Sequence, residues 1–76
     1  MYKRIKDLRE DKDLLQKHMA EYLNCTQVCY SNYEIGKRDI PTAILIQLAL
    51  FHETSVDYLL NLTDEKKPYA KSKQHK

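Results

Sequence analysis

One glycine and two prolines punctuate 76 residues, and that scarcity is what most limits how the chain can fold. Turn-dense β folds lean on glycine and proline to reverse the chain. Here apolar side chains instead recur at three- and four-residue spacing, in segments rich in Leu, Ile, Ala, Lys and Glu, which favours helices. The chain reads as all-α. It has room for one domain with a single core, and at this length much of its surface stays wet.

The first helix is predicted within "YKRIKDLREDKD", where Ile5, Leu8 and Arg9 share a side opposite Lys3, Lys6, Asp7, Glu10 and Asp11. In "LLQKHMAEYL", Leu15, Met19 and Leu23 form a stripe with Ala20 beside it, and Asn24 marks the end because it tolerates the left-handed conformation. Thr26 suits the N-cap of a third helix running to about Ile35 and stopping at Gly36. On that helix Tyr30 and Tyr33 are expected to pack inward with wet hydroxyls, while Tyr22 is open to packing or to a phosphate contact.

Pro41 fits the first turn of a fourth helix, "TAILIQLALFHE", whose buried side is Leu45, Leu48, Ala49 and His52. Thr54 or Ser55 would cap a fifth, "VDYLLNL". Apolar periodicity ends after Asp64, so the domain is read as residues 1–65 and the lysine-rich residues 66–76 as a flexible basic tail.

The net charge of +2 hides a partition along the chain. Residues 1–40 carry eight Lys or Arg against seven Asp or Glu, residues 41–65 carry four acids and no base, and residues 66–76 carry five lysines. A polyanion is therefore expected to meet the first forty residues, helped by the last few. The longest apolar run, "AILIQLAL", is broken by Gln47 and falls short of the roughly 20 residues that cross a bilayer. With two cysteines and no signal peptide, a reducing cytoplasm is the expected compartment.

Cys25 and Cys29 with His18 and His52 lack the paired spacing of structural zinc sites, so no metal is read, and no cofactor is implied. Redox sensing is the other reading of the two thiols. No glycine-rich phosphate loop or nucleophile–base arrangement is present, which argues against an enzyme. What stands out is the outer face of the third helix, Gln27, Val28, Ser31 and Asn32, which is short and polar instead of charged. A helix, a tight turn and a second helix with such a face is the geometry that seats one helix in the DNA major groove.

"RIKDLRED", "LLQKHMAEYLN", "SNYEIGKRDIP" and "SVDYLL", in this order across residues 2–64, resemble the Xre-type helix-turn-helix family of phage-repressor and Cro-like regulators. The resemblance implies a compact five-helix, lambda-repressor-like domain with its helix-turn-helix at helices two and three. It implies that Gln27, Val28, Ser31 and Asn32 face base edges, that Gln16 donates to a phosphate, and that Lys37 and Arg38 hold the backbone. It also implies that Arg9 and Glu34 form a buried pair joining helix one to the end of helix three, and that Cys25 occupies a core position.

A double-stranded operator bound by a homodimer, nucleoid-associated when bound, is the partner so implied, and repression the effect. Gln and Asn suit adenine and Val28 a thymine methyl, so an A·T-leaning half-site is expected. The chain departs from the family pattern in carrying Leu15 where a threonine cap is usual, Asp13 or Asn24 where a glycine is, and no Arg or Lys among residues 27–32. Ile44 and Leu50 are expected to be poorly hidden, as a self-association face. The alternative is a protein-interaction module of the same shape, such as an antitoxin or anti-repressor, with a protein partner on that face.

Overall fold

The apolar stripes resolve into five helices among residues 2–68, the part of the chain that the computed structural model describes. They are α1 (Lys3–Asp11), α2 (Gln16–Leu23), α3 (Gln27–Glu34), α4 (Thr42–Phe51) and α5 (Val56–Leu59), with no strand among the described residues. The core gathers Ile5 and Leu8 of α1, Met19, Ala20 and Leu23 of α2, Tyr30 and Tyr33 of α3, Leu45, Leu48 and Ala49 of α4, Leu59 of α5, and Ile40 from the α3–α4 loop. The tightest pairing is α2 against α3, where Ala20 leaves room for close approach. No helix among the described residues is long and apolar enough to cross a membrane.

Every corner is made by one residue in the left-handed region: Asp13 (φ 57°), Asn24 (φ 57°), Gly36 (φ 78°), Glu53 (φ 54°) and Asn61 (φ 67°). Only one of the five is glycine, which explains how a chain with so little glycine still turns so often. Asn and Asp visit this region readily, whereas Glu53 bears a steric cost of about 1 kcal/mol.

Helix starts are secured locally. Thr26 Oγ1 accepts from the Cys29 amide at 3.0 Å, and Ser55 Oγ accepts from the Tyr58 amide at 3.0 Å. Pro41 stands just before α4, where its carbonyl accepts the Leu45 amide at 3.0 Å. At α2 the leucine in the cap position can accept nothing, and His18 supplies half of a capping box: its Nδ1 accepts from the Leu15 amide at 2.9 Å. Leu15 itself is exposed instead of continuing the apolar stripe, and Leu14 packs on the core in its place.

The fifth helix is shorter than "VDYLLNL" suggested. It ends at Leu59 because Asn61 reverses the chain and carries Thr63 and Asp64 back to α1. There Arg4 donates to the carbonyls of Tyr58 (2.9 Å) and Thr63 (2.6 Å) and to Asp64 Oδ1 (2.9 Å), with its guanidinium 4.0 Å from the Tyr58 ring centroid. Leu62 is left outside. Thr54, buried, donates to the Lys66 carbonyl at 2.6 Å and holds residues 66–68 against the α4–α5 corner. The remainder of the basic tail, residues 69–76, lies outside the described residues.

Two further expectations about side chains change, and a third side chain keeps its place without a partner. Ile44 is half-buried against the core, because it borders the Leu45–Leu48 stripe; Ile46, one turn before Leu50, is the residue that shares the outer side of α4 with it. Tyr30 is wholly buried, hydroxyl included. His52 lies on the buried side of α4 as its spacing predicts, edge-on to Phe51, yet neither ring nitrogen has a hydrogen-bond partner. Burial, reinforced by Lys12 and Lys66, lowers its pKa from 6.5 to about 4.

Candidate nucleic-acid interface

The outer surface of α3 follows from helical spacing. With Tyr30, Tyr33 and Glu34 committed to the interior, Gln27, Val28, Ser31 and Asn32 must point the other way. Val28 is 70% exposed and Gln27 is exposed, while Ser31 and Asn32 are half-buried at the foot of the face. Gln16, the first residue of α2, joins these four in lining one shallow concave patch. Five of the residues picked from the sequence are thereby brought together.

Glu34 anchors that patch to the rest of the molecule. Arg9 grips its carboxylate with two bonds, Nε to Oε2 at 2.7 Å and Nη2 to Oε1 at 3.2 Å, and its Nη1 donates to the Leu14 carbonyl at 2.8 Å. Gln16 Nε2 adds a bond to Glu34 Oε1 at 2.9 Å. Three helices thus converge on one carboxylate, which sets the angle of α3 against α1 and α2. Burial pushes the Glu34 carboxyl up, but the bonds from Arg9 and Gln16, with the Tyr30 hydroxyl close by, outweigh it and the net pKa falls below the ordinary value. Its hydrogen bond with Glu34 raises the pKa of Arg9 in turn, against desolvation. The Tyr30 hydroxyl lies beside this pair, held protonated chiefly by burial.

The amide of Gln16 is therefore engaged within the protein. It still carries a second hydrogen, and the side chain lines the patch.

Lys37 and Arg38 follow Gly36 on the exposed α3–α4 loop, and their amides both donate to the Asn32 carbonyl, at 3.0 and 3.3 Å. Arg38 leans back along α3, its Nη1 3.8 Å from Cys29 Sγ. Tyr22 packs its ring on Phe51, centroids 4.6 Å apart, tying α2 to α4. Leu50 is 63% and Ile46 49% exposed on α4, away from the core stripe.

Sequence reasoning passed over three residues that shape this arrangement. Histidine at the third position of α2 was a legible cap signal, three residues after the cap. Ile46 was legible from its four-residue spacing to Leu50. Nothing local announced Arg4, whose partners lie more than fifty residues along the chain.

A helix-turn-helix family model matches residues 5–59. Among curated relatives, all from Bacillus subtilis strain 168, the chain is 33% identical over 73 residues to the HTH-type transcriptional regulator YobD, covering 96% of this chain and 65% of that protein. It is 41% identical over 58 residues to the HTH-type transcriptional regulator ImmR, covering 76% and 46%. To the SPbeta prophage-derived HTH-type regulator YonR it is 37% identical over 60 residues, covering 79% and 56%. The chain thus spans between about half and two thirds of these relatives. No solved structure matches it significantly.

Proposed function

Because the chain belongs to the Xre/Cro-like helix-turn-helix family and folds as a lambda-repressor-like five-helix domain, we propose that it is a sequence-specific DNA-binding repressor that acts as a dimer. In this reading α3 lies in the major groove and α2 crosses the backbone. The observation that carries it is the pairing of an exposed, uncharged α3 face with a buried ionic node that fixes that helix. Gln27 and Asn32 present amides able to bond adenine in bidentate fashion, Val28 meets a thymine methyl, and Ser31 serves either partner, giving an A·T-leaning half-site. Gln16 and the loop residues Lys37 and Arg38 set register on phosphates, which carry most of the affinity but no sequence information.

With no cation among residues 27–32, one copy holds few phosphates and no guanine. A second copy doubles the contacts, and two half-sites about 34 Å apart match its twofold axis. Ile46 and Leu50, with Ile44 at their edge, form the face on which the copies meet. The cytoplasm is the site of action, and the lysines of residues 66–76 add non-specific attraction.

Selection of bound duplexes from a random pool at several salt concentrations tests the reading. Enriched A·T-leaning half-sites are expected, with affinity falling linearly in log salt. Gln27→Ala combined with Asn32→Ala should weaken binding by about tenfold or more at an unchanged salt slope. Failure to enrich any duplex would favour the second reading, a protein-interaction module that uses the apolar α4 surface, which the exposure of Leu50 keeps in play.

A further inference from the structure

The corner where α2 passes into α3 carries both cysteines of the chain. Cys25 closes the end of α2, its amide donating to the Ala20 carbonyl at 2.9 Å, and Cys29 sits in the first turn of α3, its amide bound to the Thr26 hydroxyl at 3.0 Å. Both thiols are free and half-buried, four residues apart at one corner of the fold and packed against the same core. A cation joins them: Arg38 Nη1 stands 3.8 Å from Cys29 Sγ. A pair of adjacent thiols with a cation on one of them is more than packing requires; two small apolar side chains would fill the same space.

We propose that Cys25 and Cys29 are a redox-operated dithiol that low-molecular-weight disulfides convert to an intramolecular disulfide, and that this bond switches off the α3 face. The inference rests on the reading of α3 as the helix that contacts DNA. In the first step the Cys29 thiolate, the thiol facing Arg38, attacks a disulfide RSSR; a mixed disulfide Cys29–S–S–R forms and RS⁻ leaves. The Cys25 thiol then gives its proton to solvent and attacks the Cys29 sulfur, the S–S bond to R breaks, and the second RS⁻ departs. Two thiols and one RSSR become one protein disulfide and two RSH, so the small disulfide is reduced as the protein is oxidised. Reduction by a dithiol runs the same steps backwards.

The consequence for DNA binding follows from chain order. Closing Cys25 on Cys29 encloses Thr26, Gln27 and Val28 in a loop of a few residues. Thr26 is the α3 cap, and Gln27 and Val28 are half of the base-facing set. Thr26 is extended (φ −78°, ψ 157°), and drawing the flanking residues together deforms that corner and displaces the two side chains behind it. Arg38 loses its Cys29 thiol partner at the same time, and with it the contact that holds it along α3. A disulfide in such a short, exposed loop is strained and easily reduced, which is the character of a regulatory bond.

The test uses the purified chain with oxidised glutathione as the probe, followed by alkylation, non-reducing mass spectrometry, and binding to a duplex that the reduced chain selects from a random pool. Expected are a monomer that has lost the mass of two hydrogens and resists alkylation, duplex binding weakened by about tenfold or more, and full recovery with dithiothreitol. A chain carrying both Cys25→Ala and Cys29→Ala should bind as the reduced chain does and ignore the oxidant. A stable glutathione adduct without closure, a disulfide between two chains, or a closed disulfide that leaves binding unchanged would each overturn the proposal while leaving DNA binding intact. If the reduced chain selects no duplex at all, the DNA-binding reading fails and the switch falls with it, whatever the thiols do.

Discussion

Replacing Arg9 with leucine would strip the cation from a carboxylate that is 4% exposed, leaving Glu34 with the Gln16 amide as its remaining regular hydrogen bond. Breaking a buried pair from one side costs about 3–5 kcal/mol. The lower end applies here, because Arg9 sits at the edge of the core and Gln16 stays in place, so about 3 kcal/mol is expected. A domain of this size has a total stability of roughly 4–11 kcal/mol, so the loss is a large share of it. Each kcal/mol moves the midpoint of a small domain by about 4–8 °C, which puts the drop at roughly 12–24 °C.

The assay is thermal unfolding followed by far-ultraviolet circular dichroism at neutral pH. Glu34→Leu on the Arg9→Leu background should recover much of the loss, because the second change removes the orphaned charge, and apolar replacements of buried pairs are often neutral. A midpoint within about 3 °C of the parent for Arg9→Leu alone would refute the reasoning, since it would mean that water reaches Glu34 well enough to replace the guanidinium.

Acid should expose the other buried ionisable group. The folded-state pKa of His52 is depressed from 6.5 to about 4, so the unfolded chain binds the proton first; stability is complete above pH 6.5 and is lost as pH falls toward 4, by about 2–3 kcal/mol. His52→Leu should abolish that slope in urea titrations at stepped pH, while Glu34, whose pKa is lowered, withdraws its own contribution only below the ordinary carboxylate range. Glu53→Gly should raise the thermal midpoint, since it removes a left-handed strain of about 1 kcal/mol; an unchanged midpoint would mean that the corner is not held in that conformation. Leu50→Lys should leave the fold intact and shift the chain to monomer in sedimentation experiments, and a dimer that survives would move the interface elsewhere.

Much of the fold was legible because the chain repeats the same physical signal several times. Except at Leu15, the amphipathic stripes predicted their buried residues, from Ile5, Leu8 and Arg9 to Leu45, Leu48, Ala49 and His52. Thr26 announced one helix start and the Thr54–Ser55 pair another, where Ser55 is the cap, and Asn24 and Gly36 announced two ends, because these depend on a side chain and its own neighbouring backbone. Where the reading slipped, the cause was distant. The fifth helix stopped early because Arg4 draws Thr63 and Asp64 back across α1, and Ile44 turned inward because it borders the stripe that meets the core.

The candidate interface divides along the same line. Sequence alone determined that residues 27–32 form a helix with tyrosines on one side and Gln27, Val28, Ser31 and Asn32 on the other, since helical periodicity needs no partner to be read. Tertiary structure decided that Gln16 is bonded to Glu34 while lying on the same patch, and that Arg38 reaches back to Cys29. It also decided that His52 is buried without a partner for either nitrogen. Those outcomes depend on which surfaces meet when separate helices pack, and periodicity sets the face of each helix but not the angle at which another crosses it.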